Sequence, residues 1–164
     1  MKQDINLYAT KQVIQTIKER FSYVFEKLSP KANGFYYKPC LIPNEIVNKF
    51  SIDDVEISCF QQSHGFSETT GFKINNFAYC TDVVDMPKSN FKYLKNMDLF
   101  IIGALREEPH EAHAHFKLAF DWSKKINSKK TILTHLGVQS DYDYVSSICP
   151  KNVFPGYDGM NFEL

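Results

Sequence analysis

The feature that most constrains the fold is a pair of apolar runs separated by one amphipathic segment. The runs read MDLFIIGAL and KKTILTHLG, and runs of this kind are typical of strands buried on both faces. Between them, helical spacing from about residue 113 to 127 places these side chains toward the core: Phe116, Ala119, Phe120, Ser123 and Ile126. Strand, helix and strand at 98–103, 113–127 and 131–135 make a βαβ unit, so part of the sheet is parallel. The class is α/β with a mixed sheet.

Other segments add helices and further strands. The stripe in TKQVIQTIKERFSYVFEKL predicts a helix that ends at Ser29-Pro30. DDVEISCFQQSH alternates as a strand does, and TTGFKINNFAYCTD reads as a hairpin that turns at Asn75-Asn76. MPKSNFKYLKN and YDYVSSI predict short helices, GFYYKPCLIPNE an extended piece, and VFPGYD and MNFEL a closing pair of strands.

Length and charge exclude several classes of protein. With 164 residues and no internal repeats, we expect a single domain over residues 1–164. Nineteen basic residues balance nineteen acidic ones, so no overall field attracts nucleic acid or an anionic membrane. No apolar run approaches the length of a membrane span. The four cysteines form no C-x-x-C pair, which indicates reduced thiols in a cytoplasmic protein.

Three polar residues share one position, because each follows a predicted strand. They are His64, Asp82 and His135. Loops that leave strand ends converge on one edge of an open sheet, where ligands bind. Two imidazoles and a carboxylate suit zinc or manganese, and a carboxylate can bridge two ions. Each residue alone also fits a hydrogen-bonded loop position, or a turn in the case of Asp82.

A second cluster, in REEPHEAHAHFKLAF, contains His110, His113 and His115. The zinc motif H-E-x-x-H needs imidazoles four residues apart on a helix, whereas these are three and two apart. The cluster follows Pro109 at the start of a predicted helix, which suits residues presented to a site built by other segments. We expect His115 to lie in solvent.

In order along the chain, several motifs resemble the metallo-β-lactamase superfamily. They are INLYATKQVIQTIKERFSYVF, HGFSETTGFKI, YCTDV, LREEPHEAHAHFKLAFDW, LTHLG and YDGM. Within the superfamily they are similar to the phosphoribosyl cyclic phosphate phosphodiesterases of phosphonate catabolism. The resemblance implies the C-terminal portion of an αββα sandwich and a hydrolase that acts on a small phosphodiester with two divalent metal ions, zinc or manganese.

The same resemblance implies a role for each residue. His64 would bind the first ion, His135 the second, and Asp82 would bridge them. His113 falls at the position of a general acid toward the leaving group, and His110 would support it.

The resemblance also places Asp158 behind the metal ligands, where a carboxylate can fix a histidine tautomer. One departure is serious: the superfamily signature H-x-H-x-D-H is absent, because all five histidines lie between positions 64 and 135.

This departure leads us to expect a truncated domain that lacks the first strands and most metal ligands. Such a chain should hold metal weakly or substoichiometrically and have little activity by itself. Three explanations stay open: a separate N-terminal chain supplies the missing half, the chain is a non-catalytic remnant or interaction module, or it is a fragment of a longer protein. An uncovered sheet face would favour a homodimer or a complementary chain.

Overall fold

The computed structural model describes residues 3–28 and 38–163. The chain divides into two compact units, residues 1–50 and 51–164. No comparison decides between these units and one continuous domain, so the single domain stays a prediction. Among the described residues, no helix combines the length and hydropathy that crossing a lipid bilayer requires.

The first unit contains one helix between two parallel strands. Strand β1 spans Ile5–Ala9, helix α1 spans Lys11–Arg20, and β2 spans Leu41–Glu45. Ile5 pairs with Leu41 and Ala9 with Glu45 in the parallel ladder.

Helix α1 is shorter than the sequence predicts. The apolar spacing continues past Arg20, but the backbone leaves the helix at Phe21 and forms a 3-10 turn over Ser22–Val24. Val13 and Phe21 are both about half exposed, and Ile14 is the buried residue of the helix. Basic residues in the last turn favour an end there because they interact well with the helix dipole. The predicted stop at Ser29-Pro30 lies outside the described residues.

The main sheet has seven strands in chain order. Its strands are β3 Lys49–Ile52, β4 Val55–His64, β5 Ser67–Ile74, β6 Phe77–Cys80, β7 Leu99–Gly103, β8 Lys130–Thr134 and β9 Val153–Pro155. Strands β4, β5 and β6 pair antiparallel, and β6 to β9 pair parallel. The predicted hairpin is confirmed, and Asn75 has a φ of +50° in its turn. The parallel βαβ unit is also confirmed.

Three helices accompany this sheet: α2 Lys88–Tyr93, α3 Phe116–Ile126 and α4 Tyr142–Ile148. The sequence placed the start of α3 near His113, and this boundary was wrong. His113 lies in the preceding loop, because the Leu105 N–H donates to the Ala114 carbonyl and the Phe116 N–H to the Arg106 carbonyl. These bonds hold the chain extended until the helix begins. The predicted MNFEL strand is also wrong for residues 160–163, which form no strand.

The core lies on one face of the sheet, here called the inner face. Its side chains are Ala78, Cys80, Phe100, Ile102 and Leu133, each fully buried. Helix α3 covers this face with Ala119 and Ile126, which are also fully buried. The opposite, outer face presents Tyr79, Ile101, Ile132 and Phe154. Of these, Tyr79 is 39% and Phe154 42% exposed.

Candidate metal centre

The three predicted ligands lie at ends of strands in the second unit. His64 is the last residue of β4, Asp82 follows β6, and His135 follows β8. Strands β6, β7 and β8 are parallel, so Asp82 and His135 emerge at the same edge. The His135 Nε2 lies 3.6 Å from the Asp82 Oδ1. This carboxyl edge of the sheet therefore brings the predicted residues together.

Asp82 and His135 both adopt left-handed backbone conformations, with φ of +51° and +59°. Non-glycine residues seldom adopt this conformation, and each such residue costs on the order of 1–3 kcal/mol unless surrounding structure compensates. Residues held in this way cluster at functional sites. Both predicted ligands therefore share an uncommon backbone conformation, which the surrounding structure must hold.

Backbone hydrogen bonds fix the loop that carries His113. The Ala114 N–H donates to the Val83 carbonyl at 2.6 Å, and the Ala114 carbonyl accepts from Leu105 at 2.9 Å. Ala112 and Ala114 are buried on either side of His113. The loop is thus hydrogen-bonded to the segment that follows β6 and to the segment that follows β7, and these bonds fix the position of His113.

The His113 side chain lies among the other candidate residues. Its Nε2 is 3.2 Å from the His64 Nε2, and its Nδ1 is 3.7 Å from the Asp82 Oδ1. Its ring stacks on that of His135, with centroids 4.7 Å apart. Burial lowers the pKa of His113 below its usual value, and the neighbouring imidazoles lower it further. Asp82 opposes this shift.

His110 anchors the loop through its ring. The His110 Nδ1 accepts hydrogen bonds from the backbone N–H groups of Ala112 at 3.1 Å and His113 at 3.2 Å. This pattern requires the tautomer that carries its proton on Nε2. The centroids of the His110 and His113 rings are 5.1 Å apart. Through its hydrogen bond from the His113 N–H, His110 holds the backbone of His113.

The turn between β4 and β5 touches the same loop. Gly65 has a φ of +68°, and a Cβ there would lie 2.6 Å from the Glu111 carbonyl oxygen. Phe66, the next residue, is 89% exposed, and its ring centroid is 5.7 Å from that of His64. The turn thus places an exposed aromatic ring beside His64 and packs its glycine against the loop that carries His113.

Two residues stay apart from the cluster. Asp158 is exposed, and within the described residues it forms no ion pair or hydrogen bond with a histidine. It lines a cavity of about 350 Å³ that also includes His135 and Tyr157. His115 is half-buried at the N-cap of α3, where its side chain makes no capping hydrogen bond.

The donor atoms fit one divalent ion. His64, Asp82 and His113 each offer a ligand atom, and these atoms lie within 4.8 Å of one another. Two nitrogens that bind one tetrahedral zinc ion at the usual distance of about 2.0–2.1 Å are a little more than 3.2 Å apart. The observed distance between the His64 Nε2 and the His113 Nε2 is 3.2 Å. His135, beside Asp82, offers a further nitrogen. Among the described residues, a second ion would have Asp82 and His135 as ligands.

Sequence reasoning missed two polar residues behind Asp82. Gln62 is 1% exposed, and its Nε2 donates to the Thr81 carbonyl at 2.6 Å and the Thr69 Oγ1 at 3.1 Å. The Thr69 hydroxyl in turn donates to the Asp82 carbonyl at 2.8 Å. The sequence offers only a weak signal for Gln62, because Gln62 and Ser58 are polar residues on the same face of one strand. The structure shows that both side chains are buried.

Comparison with known families identifies the class. A sequence model of the family described as beta-lactamase superfamily domain matches residues 1–136. The chain belongs to this superfamily and is hydrolase-like in fold. The superfamily and the mixed α/β architecture predicted from the motifs are therefore confirmed.

Particular relatives cover the chain almost completely, but the chain covers only part of them. It is 27% identical over 159 residues to an octanoyltransferase from Porphyromonas gingivalis, which aligns 96% of this chain with 32% of that protein. A diphosphatase of the PhnP family shares the fold, with a TM-score of 0.82, 20% identity, and coverage of 94% of this chain and 56% of that one. Zinc-bound PqqB from Methylobacterium extorquens has a TM-score of 0.68 at 11% identity, and the match covers 99% of this chain and 66% of PqqB. The chain thus spans about a third of the octanoyltransferase and less than two thirds of the diphosphatase.

Proposed function

We propose that this chain is the part of a metal-dependent hydrolase that carries the acid-base histidine and some of the metal ligands. The observation that carries the proposal is the convergence of three imidazoles and one carboxylate at the carboxyl edge of the sheet. A phosphodiester is the proposed substrate class. The fold similarity to a diphosphatase of the PhnP family supports this choice.

In the proposed site, His64, Asp82 and His135 hold divalent metal, zinc or manganese. The Asp82 Oδ1 lies 3.6 Å from the His135 Nε2, and a carboxylate is a ligand that can bridge two ions. Bound metal would act as a Lewis acid toward phosphoryl oxygens. The remaining ligands would come from polypeptide outside these 164 residues, so we expect this chain to bind metal weakly and substoichiometrically by itself.

His113 is the proposed general acid. Hydroxide from water would form the new phosphorus–oxygen bond as the bond to the leaving group breaks, and the protonated form of His113 would give its proton to the departing oxygen. The lowered pKa of His113 makes this imidazolium a stronger proton donor, and a less populated one at neutral pH. His110 keeps the backbone of His113 in place, because its Nδ1 accepts the His113 N–H. A positioned acid of this kind typically contributes about 10²–10⁴-fold to the rate.

The test measures bound Zn²⁺ and Mn²⁺ and the hydrolysis of bis(p-nitrophenyl) phosphate. Turnover is measured on the chain co-expressed with a chain that carries H-x-H-x-D-H. There His113→Ala should lower turnover by about 10²–10⁴-fold, whereas His115→Ala, the same change two residues away, should leave it unchanged. If His113 is an acid alone, its variant keeps the metal. If His113 is instead a ligand, as its distance to His64 permits, metal and turnover fall together. Failure of the unaltered chain to bind either metal at millimolar concentration would contradict the proposal.

An interaction module is the second candidate, and the outer face of the sheet favours it. Tyr79 and Phe154 are about two fifths exposed there, beside Ile101. The proposed partner is a complementary N-terminal chain or a second copy of this one. A monomer by light scattering would count against the homodimer. Co-expression with a chain that carries H-x-H-x-D-H should restore both metal binding and activity if the partner is complementary, and neither if the chain is a non-catalytic remnant.

A further inference from the structure

Asp82 is held from behind by a short polar chain that the proposed chemistry does not use. Gln62 and Thr69 face each other on β4 and β5, in register. The Gln62 amide and the Thr69 hydroxyl donate to two consecutive carbonyls, those of Thr81 and Asp82. Both peptide planes next to the Asp82 α-carbon therefore have a fixed orientation.

Stability alone does not explain a buried amide at position 62. The Gln62 Oε1 is buried and has no hydrogen-bond partner among the described residues. An unpaired buried acceptor costs on the order of 1–3 kcal/mol, and an apolar side chain of the same shape would avoid this cost. What the amide supplies, and a methionine cannot, is the pair of donated hydrogen bonds.

The backbone at Asp82 needs such support. Its φ of +51° lies in the left-handed region, which a non-glycine residue keeps when the surrounding structure holds it there. A rotation of either peptide plane would turn the side chain away from His113 and His135, whose nitrogens lie 3.7 and 3.6 Å from its Oδ1.

We propose that Gln62 and Thr69 are positioning residues that hold the Asp82 carboxylate toward the histidine cluster. The inference rests on the proposed function, because it concerns the ligand that two ions would share. Residues behind metal ligands typically contribute about 10–100-fold to metal affinity. We expect a loss in that range when either donor is removed.

The experiment compares Thr69→Val, which removes the hydroxyl at constant shape, with Thr69→Ser, which keeps it. Gln62→Met replaces the buried amide with an apolar side chain of similar volume. Each chain is titrated with Co²⁺, and the visible spectrum reports ligand geometry. Thr69→Val and Gln62→Met should weaken Co²⁺ binding about 10-fold or more, and Thr69→Ser should bind like the original chain. Gln62→Met avoids the unpaired Oε1 but leaves the Thr81 carbonyl without this donor, so its unfolding temperature should fall slightly.

Metal-free protein provides a second readout. Three-bond couplings measured by NMR should show one Asp82 side-chain rotamer in the original chain and Thr69→Ser, and averaged rotamers in Thr69→Val. Equal effects of Thr69→Val and Thr69→Ser, or no effect of either, would overturn the inference. If the original chain binds no Co²⁺, the proposed function fails, and the rotamer comparison still decides the role of Thr69. Should Gln62→Met fail to fold, the Thr69 pair is sufficient.

Discussion

The inner face of the main sheet and its carboxyl edge are built by different means. On the inner face, side chains of Ala78, Phe100 and Leu133 are fully buried and pack against α3. At the carboxyl edge, the candidate site depends on backbone hydrogen bonds and on left-handed residues such as Asp82 and His135. Burial therefore stabilises the fold, whereas directional bonds set the geometry of the site. Substitutions in the two regions should have separable effects.

The largest expected effect is on the inner face. Phe100→Ala leaves a cavity beneath α3 and should lower the free energy of unfolding by about 3–5 kcal/mol. The matched control is Phe154→Ala, the same change on the outer face, where 42% of the residue is already exposed. Its cost should be about 1 kcal/mol. Chemical denaturation measures both. Equal losses would show that the outer face is packed as fully as the inner one.

The carboxyl edge should respond to Gly65→Ala. The new Cβ would lie 2.6 Å from the Glu111 carbonyl oxygen, so the loop that carries His110 and His113 must move. Gly159→Ala is the control, because its φ is also positive, at +87°, and no atom lies within 4 Å of the added Cβ.

Backbone strain alone should cost about 1 kcal/mol in the Gly159 variant. Gly65→Ala should cost about 2 kcal/mol, with a further loss of metal affinity. Unfolding curves and Zn²⁺ titration measure the two quantities. A Gly65 variant with unchanged Zn²⁺ affinity would show that the turn does not position the histidine loop.

The fold could be predicted where burial leaves a periodic signal. The strands at 98–103 and 131–135 and the hairpin at Asn75 came from local patterns, and each lies where expected. The start of α3 could not be found in this way, because the Ala114 N–H bonds the carbonyl of Val83, far away in the sequence.

The candidate site shows the same division. His64, Asp82 and His135 could be identified as residues that follow strands, and the motifs added His113. Gln62 could not, because a polar residue in a strand is normally assigned to the solvent face, and only the folded sheet shows that it is buried. Asp158 was placed near the cluster by resemblance alone, and its exposed position at the cavity gives it no histidine partner among the described residues.

Added metal should stabilise the folded chain through contacts at the carboxyl edge and not through packing on the inner face. If the folded chain binds Zn²⁺ as proposed and the unfolded chain does not, Zn²⁺ at ten times its dissociation constant should raise the free energy of unfolding by about 1.4 kcal/mol. Asp82→Asn should remove this effect, and Asp158→Asn should keep it. Thermal unfolding with Zn²⁺ and with a chelator provides the measurement. Equal shifts in the Asp82 and Asp158 variants would place the ion elsewhere.

The smallest expected effect lies at the opposite end of β7, where Asp98 precedes the strand. The Lys129 Nζ is 2.6 Å from the Asp98 Oδ1, and Asn76 donates to the same carboxylate. The hydrogen bond from Lys129, and then that from Asn76, lowers the pKa of Asp98. A lowered pKa means that the ionised form is favoured in the folded chain, so the stabilisation is present above the unfolded pKa of about 3.9 and is lost as the pH falls through the folded value.

Asp98→Asn should therefore lower the unfolding temperature slightly at pH 7 and make a smaller difference near pH 2.5. The effect should also shrink in high salt, because the pair is exposed to solvent. Thermal unfolding of the original chain and the variant at both pH values measures it. A difference of the same size at both pH values would mean that Asp98 acts as a hydrogen-bond acceptor at the start of β7 and that its charge contributes nothing.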